Sequence, residues 1–266
     1  MLIIRARLPR VRDRIAVVEL FGSIGNQIKS QSYERVFSAI NQDHSIKAMV
    51  LDIDSPGGAV PASDYIYQAV ARIGERIPVV ASVRGVGASG SYMISCGAQK
   101  IVATPGAIIG SIGVISVRPA LQELLQRVGV GVTVNKSGPF KDMGAPWRES
   151  TPEEDAKMQE LIDDSYATFV QVVAKARSMS EEDVRKIATG EVYWAPKAKE
   201  IGLIDELGDL DRAIDIAAEL SGAPRKPVWM RPKRSLRELL MNPAAEAMVD
   251  TFMNAVESRY GVGSLR

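Results

Sequence analysis

The 266 residues are 46% hydrophobic and 24% charged, enough apolar material to bury a sizeable core in one domain. Thirty-three basic against 32 acidic residues leave a net charge of +1, which excludes a global field that would hold nucleic acid or attract an acidic substrate. One cysteine, Cys96, and one histidine, His44, exclude an internal disulfide and a zinc site of the usual His and Cys ligands, and the sequence calls for no cofactor.

The chain opens on Met1 to Ile4, broken by Arg5, Arg7, Arg10, Arg12 and Arg14, far short of the roughly 20 apolar residues a spanning helix needs. Residues 1–14 read as a solvated basic lead-in, with contact to anionic lipid as the alternative. Membrane-associated or cytoplasmic localisation is the matching expectation. Ile15 to Leu20 reads as a first strand. Tyr33, Val36, Phe37 and Ile40 then recur at i, i+3, i+4 and i+7, a helix stripe, before the apolar run Lys47 to Ile53. The same alternation returns with Ile66, Ala69, Val70 and Ile73 before a strand at Pro78 to Val83, and with Leu121, Leu124, Leu125 and Val128 before a strand at Val130 to Val134. Strands separated by helices predict right-handed βαβ units and an α/β fold.

Thr151-Pro152-Glu153-Glu154 carries an N-cap, a proline at the first position and acids in the first turn, so a long helix is predicted to about Ser178. Ser180-Glu181-Glu182-Asp183 opens another, and Asp209-Leu210-Asp211 a third that ends near Ser221-Gly222. Pro224, Pro227 and Pro232 mark a linker, followed by an amphipathic helix through Leu236, Leu239, Leu240, Ala244, Met248, Phe252 and Val256. The expected organisation is a lead-in at 1–14, a domain at 15–222, and linker plus helix at 223–266.

Two turns follow predicted strands. In Asp54-Ser55-Pro56-Gly57-Gly58-Ala59 the two glycines can present bare amide N–H groups to a ligand oxygen, although a plain tight turn explains them equally. Gly85-Val86-Gly87-Ala88-Ser89-Gly90-Ser91 sets one serine among small residues at the start of a helix, the surroundings a nucleophile needs; N-capping is the plain alternative. Ser82, Ser91 and Ser95 are rivals, but only Ser89 has small residues on both sides. His44 sits in the polar turn Asn41-Gln42-Asp43-His44, well ahead of that serine, so a Ser-His-Asp triad is not expected. A nucleophilic serine would then need a lysine base held neutral by desolvation, with a rate that rises toward neutral and alkaline pH. Lys141, in Ser137-Gly138-Pro139-Phe140-Lys141-Asp142, suits that role, with Lys136 and Lys100 left open. Cys96, seven residues after Ser89, reads as core. Asp52 and Asp54 read as turn and cap residues rather than an acid–base pair.

Asp54 to Gly58, Gly87-Ala88-Ser89-Gly90, Gly110-Ser111-Ile112-Gly113-Val114 and Ser137 to Asp142 resemble, in order and spacing, the signature series of the signal peptide peptidase A family. The likeness continues through Gly190-Glu191-Val192-Tyr193 and Ala198 to Gly202-Leu203-Ile204-Asp205-Glu206-Leu207-Gly208, so it covers roughly residues 15–222. It implies a spiral Clp- or crotonase-like α/β fold and a serine endopeptidase that hydrolyses small apolar peptides such as cleaved signal peptides. By position it makes Ser89 the nucleophile, Lys141 the general base, Ser111 the hydroxyl that orients the lysine amine, and Gly57 or Gly58 with Gly90 the oxyanion hole. It also implies self-association into a ring, an octamer, whose dyads are completed between subunits. Two departures stand out: many members carry an N-terminal anchor not found here, and Ser91 stands where a second glycine is common. A crotonase-type acyl-thioester enzyme and an inactive scaffold homologue are the rival readings.

Overall fold

The computed structural model describes residues 13–232. The lead-in up to residue 12 and the C-terminal amphipathic helix expected from Leu236 onward lie outside the described residues.

The chain begins with β1 (Arg14–Phe21), α1 (Ser30–Gln42), β2 (Ile46–Ser55), α2 (Val60–Gly74) and β3 (Val79–Ala88). Neighbouring strands of this set pair in parallel, Ile15 with Ala48 and Met49 with Val79, as the alternation of elements predicts. Then follow α3 (Gly90–Ser95), β4 (Lys100–Ala103), β5 (Ile108–Gly110), α4 (Gln122–Arg127), α5 (Pro152–Arg177), α6 (Glu181–Ile187), β6 (Val192–Trp194), α7 (Ala195–Glu200), β7 (Glu206–Leu207), α8 (Leu210–Ser221) and β8 (Pro227–Trp229). The sheet runs β6-β5-β3-β2-β1-β8, with β4 beside β3 and β7 beside β4; only β6 is antiparallel to its neighbour.

Strand side chains alternate between two faces. Ala16, Val18, Leu20, Met49, Leu51, Val79 and Ala81 join the larger core with α1, α2 and α3 and the C-terminal half of α5. Ile15, Val17, Ala48, Val50 and Val80 meet Ala213, Ile214 and Ala217 of α8 on the other face. Central strands buried on both sides explain the continuous apolar runs of the sequence.

The long helix starts as predicted: Thr151 Oγ1 accepts from the Glu154 N–H at 3.3 Å, and a Glu154 carboxylate oxygen accepts from the Thr151 N–H at 3.1 Å, a closed capping box. Ser180 and Asp209 cap α6 and α8, and Gly222 ends α8 at φ 65°.

Two expectations are corrected. Val130 to Val134 forms no strand: the segment is irregular, and its valines, separated by Gly131 and Thr133, lie substantially exposed with no described strand beside them. Alternation declares an apolar face but supplies no partner edge, and glycine weakens the run. The proline-marked stretch also contributes to the sheet, since Pro227 opens β8, which pairs with β1 at Ile15, Ala16 and Val17. Proline is tolerated there as the first residue of an edge strand.

Candidate active site

Ser89 follows β3 directly and caps α3, with φ 53° and ψ −126°. A non-glycine residue in that region costs on the order of 1–3 kcal/mol and persists only where its surroundings fix it. Here the Ser89 N–H donates to the Gly110 carbonyl at 2.8 Å, and the Ser89 carbonyl accepts from the Met93 N–H at 3.0 Å. Ser89 is half-buried, and its Oγ makes no hydrogen bond among the described residues. The strand ahead of it carries extra residues: pairing steps from Ile53↔Val83 to Ser55↔Gly87, and Asp54 Oδ1 fills the resulting bulge by accepting from the Val86 N–H at 3.0 Å. Bulges of this kind re-aim a chain beside functional sites.

The glycine turn after β2 lies against the serine. Gly57 adopts φ 93°, and a Cβ there would sit 2.7 Å from both the Ala88 carbonyl oxygen and the Gly90 nitrogen, and 2.8 Å from Ser89 Cβ. Only glycine permits such an approach. The Gly57 N–H donates to Ser55 Oγ at 3.2 Å, whereas the N–H groups of Gly58 and Gly90 donate to no partner among the described residues. The two residues lie close together, the Gly58 nitrogen 3.6 Å from where a Gly90 Cβ would stand. A cleft opens on Ser89, bounded by Gly58, Ser63 and Gly90 and by the apolar side chains of Val60, Met93, Val114 and Phe169.

Ser111 follows β5 as Ser89 follows β3, with φ 49° and its N–H donating to the Glu191 carbonyl at 2.7 Å. Lys141 lies in a run of turns, its N–H donating to the Gly138 carbonyl at 3.2 Å and its side chain exposed. It neither lines the Ser89 cleft nor hydrogen-bonds Ser89 or Ser111 within this chain. Ser89, Ser111, Gly57, Gly58 and Gly90 are thus brought together, and Lys141 is not.

The rival residues are otherwise engaged. Ser91 Oγ donates to the Ser55 and Ala88 carbonyls at 2.6 and 2.8 Å, Ser95 Oγ donates to the Ser91 carbonyl at 2.8 Å, and Ser82 is buried in β3. Lys100 pairs with Asp205 and Lys136 with Asp142. His44 precedes β2 while Ser89 follows the parallel β3, so a ten-residue strand at about 3.3 Å per residue separates them. Asp52 is buried in an ion pair with Arg84 at 2.6 Å, and burial raises its carboxyl despite that partner. Cys96 caps the end of α3 in the core, where burial pushes its thiol up to about 12.

The profile of peptidase family S49 matches residues 71–223, more than half of the chain, and that of Clp protease matches residues 12–109. The chain belongs to peptidase family S49. The serine peptidase assignment goes with the family. A Synechocystis protein named as a protease is 41% identical over 213 residues, 79% of this chain and 76% of that relative. A protein of Enterococcus faecium named as signal peptide peptidase SppA is 36% identical over 190 residues; these are 71% of this chain but 55% of that relative's length. Among solved structures, ClpP1 of Listeria monocytogenes superposes with a TM-score of 0.51 at 17% identity, covering 74% of this chain and 93% of the other, which shows a Clp-like fold. Among the described residues no helix is long and apolar enough to cross a membrane. The motif resemblance does not point to the cleft residues Ser63 and Phe169; Phe169 has no local signal, because one aromatic on a helix stripe reads as core.

Proposed function

We propose that the chain is a serine endopeptidase in which Ser89 is the nucleophile, Lys141 the general base, and small apolar peptides such as cleaved signal peptides the substrates. The single observation that carries this reading is Ser89 itself, at positive φ on a strand-to-helix turn with two unpaired amides beside it. In this mechanism the Lys141 amine takes the Ser89 proton as Oγ attacks the scissile carbonyl carbon. The oxyanion develops between the N–H groups of Gly58 and Gly90, Gly57 serving to let the two turns approach. The lysine ammonium then protonates the leaving amine, and a water activated by the same amine releases the acyl group. Ser111 orients the lysine. Val60, Met93, Val114 and Phe169 offer an apolar wall, which favours small or apolar residues on the acyl side of the cut.

We further propose that Lys141 acts on Ser89 of a neighbouring subunit in a closed ring, an octamer by resemblance. From Gly113 to Glu153 no residue is buried, and the segment that carries Lys141 exposes Ile115 (85%), Val117 (84%), Leu124, Val128 and Phe140. An apolar surface of this extent is what an interface between copies requires. Mixing Ser89→Ala with Lys141→Ala subunits tests the arrangement: co-assembled rings regain activity if sites are shared, whereas dead, well-mixed rings rule sharing out. A fluorophosphonate probe tests the nucleophile, since labelling anywhere but Ser89 contradicts it.

A further inference from the structure

We propose that Arg148 is a positioning residue for Lys141, clamping the base-bearing turn onto the first turn of α5; this rests on the Ser89–Lys141 reading above. Its guanidinium grips two carboxylates at once. Nε and Nη2 donate to the two Asp142 oxygens at 2.9 and 2.7 Å, and Nη1 and Nη2 donate to the two Glu154 oxygens at 2.8 and 2.5 Å. Nη2 also reaches the Asp142 carbonyl at 3.3 Å, and Nη1 the Glu149 carbonyl at 2.8 Å. Lys136 Nζ closes the far side, donating to Asp142 Oδ1 at 2.7 Å and to the Pro139 carbonyl at 3.0 Å.

Isolated surface ion pairs contribute little, but this one is bidentate on both sides and withdrawn from water, with the Asp142 and Glu154 side chains only 9% and 3% exposed. It also stands in a segment with few other ties: the Leu121 N–H donates to the Pro146 carbonyl, the Glu149 N–H to Gln122 Oε1, and Arg118 to Ser150 Oγ and Asp155. Glu154 is the first buried residue after Ile112, so no buried apolar residue fixes residues 113–153, and the charge network is the bidentate tie next to Lys141. Asp142 is the residue next to the base. Glu154 is the third residue of α5, fixed there by the Thr151 capping box, and the same helix runs on to Ser165 and Phe169 at the Ser89 cleft. Eleven residues of helix, about 16 Å, therefore link the clamp rigidly to the cleft of its own subunit. Loosening the clamp leaves the cleft and its binding surface intact while the amine loses its fixed place.

The test is steady-state cleavage of an apolar peptide amide by the full chain carrying Arg148→Met, Asp142→Asn or Lys141→Ala, with kcat, KM, melting temperature and assembly state read for each. Misplacing a catalytic group by about 1 Å costs on the order of a hundredfold, so Arg148→Met is expected to lower kcat by about that factor with KM unchanged. Arg148→Lys recovers little, because an ammonium cannot grip two carboxylates in bidentate fashion. Should Arg148→Met fail to fold, Asp142→Asn, which spares the Arg148–Glu154 pair and the capping box, is read in the same way. Wild-type kcat per folded molecule with only a lowered melting temperature overturns the proposal, as does a kcat loss that merely follows loss of assembly. If Lys141→Ala stays active, the dyad reading itself fails. If Lys141→Ala is dead and both clamp variants keep wild-type kcat, the clamp alone fails.

Discussion

Ser89 and Ser111 leave the sheet side by side. Ala88 and Gly110 are register partners across the parallel strands β3 and β5, and the serine after each takes positive φ, 53° and 49°. The Ser89 N–H donates to the Gly110 carbonyl, so the turn that exposes one hydroxyl is tied to the strand end that presents the other. Adjacent strands lie about 4.8 Å apart, so the two serines leave the sheet as neighbours.

That pairing predicts a graded mutational pattern. Ser89→Ala should abolish turnover, by a factor of the order of 10⁶, and Lys141→Ala should fall nearly as far, because members of one catalytic unit are strongly non-additive. In the proposed mechanism Ser111→Ala removes only an orienting hydrogen bond, worth about 1.5–3 kcal/mol when one partner is charged, hence an expected loss of roughly ten- to a hundredfold. Initial rates on a fluorogenic peptide measure all three; a Ser111→Ala loss as large as that of Ser89→Ala would mean that Ser111 takes part in the chemistry directly.

Much of the fold is legible in the sequence. β1, β2 and β3 announce themselves because strands buried on both faces become unbroken apolar runs, and α5 because Thr151, Pro152 and Glu154 each occupy a position with its own physical role at a helix start. β5, β6, β7 and β8 have two or three residues each, too few to carry a period. Val130 to Val134 alternates without forming a strand, because alternation states which face is apolar, not which edge completes the pairing. At the site, Ser89 stood out by its small neighbours. The contact of Gly57 with Ser89 joins residues 32 positions apart, and only the parallel register of β2 and β3 creates it. Only resemblance distinguishes Lys141 from Lys136 and Lys100 in the sequence; the carboxylate partners of the latter two appear only in three dimensions.

Gly57→Ala should damage both fold and catalysis. The new methyl group would meet the Ala88 oxygen and the Gly90 nitrogen at 2.7 Å, both backbone atoms that cannot rotate away, at a φ of 93° that alanine avoids. Strain of that kind costs about 1–3 kcal/mol, and the Gly90 amide would be pushed from its neighbour. The expected outcome is a lower melting temperature and a kcat loss beyond what the unfolded fraction explains. Normal kcat in the folded fraction would argue against an oxyanion role for this turn.

Cys96 should be inert in the native protein. Burial pushes its thiol up to about 12, so almost none of it is thiolate at pH 8. Iodoacetamide followed by mass spectrometry should leave Cys96 unmodified in native protein and alkylate it fully in denaturant. Rapid native labelling would show that the end of α3, and with it the Ser89 turn, opens on that timescale.

Glu154 makes stability depend on acid in a direction that can be stated in advance. The Arg148 guanidinium, aided by the Thr151 N–H, lowers its carboxyl to about 2 from an ordinary value near 4.3. A depressed folded-state pKa means that the unfolded chain takes up its proton first as pH falls. The stabilisation is therefore complete above about pH 5 and is lost progressively between roughly pH 4.3 and 2. Glu154→Gln keeps the capping box, since glutamine can also reach the Thr151 N–H, but removes the charge that Arg148 grips. The variant should melt below wild type at pH 7, and the gap should narrow as both are acidified toward pH 2. A gap that stays constant across that range would show that Glu154 contributes through packing or capping alone, and would remove the electrostatic half of the link between the Lys141 turn and α5.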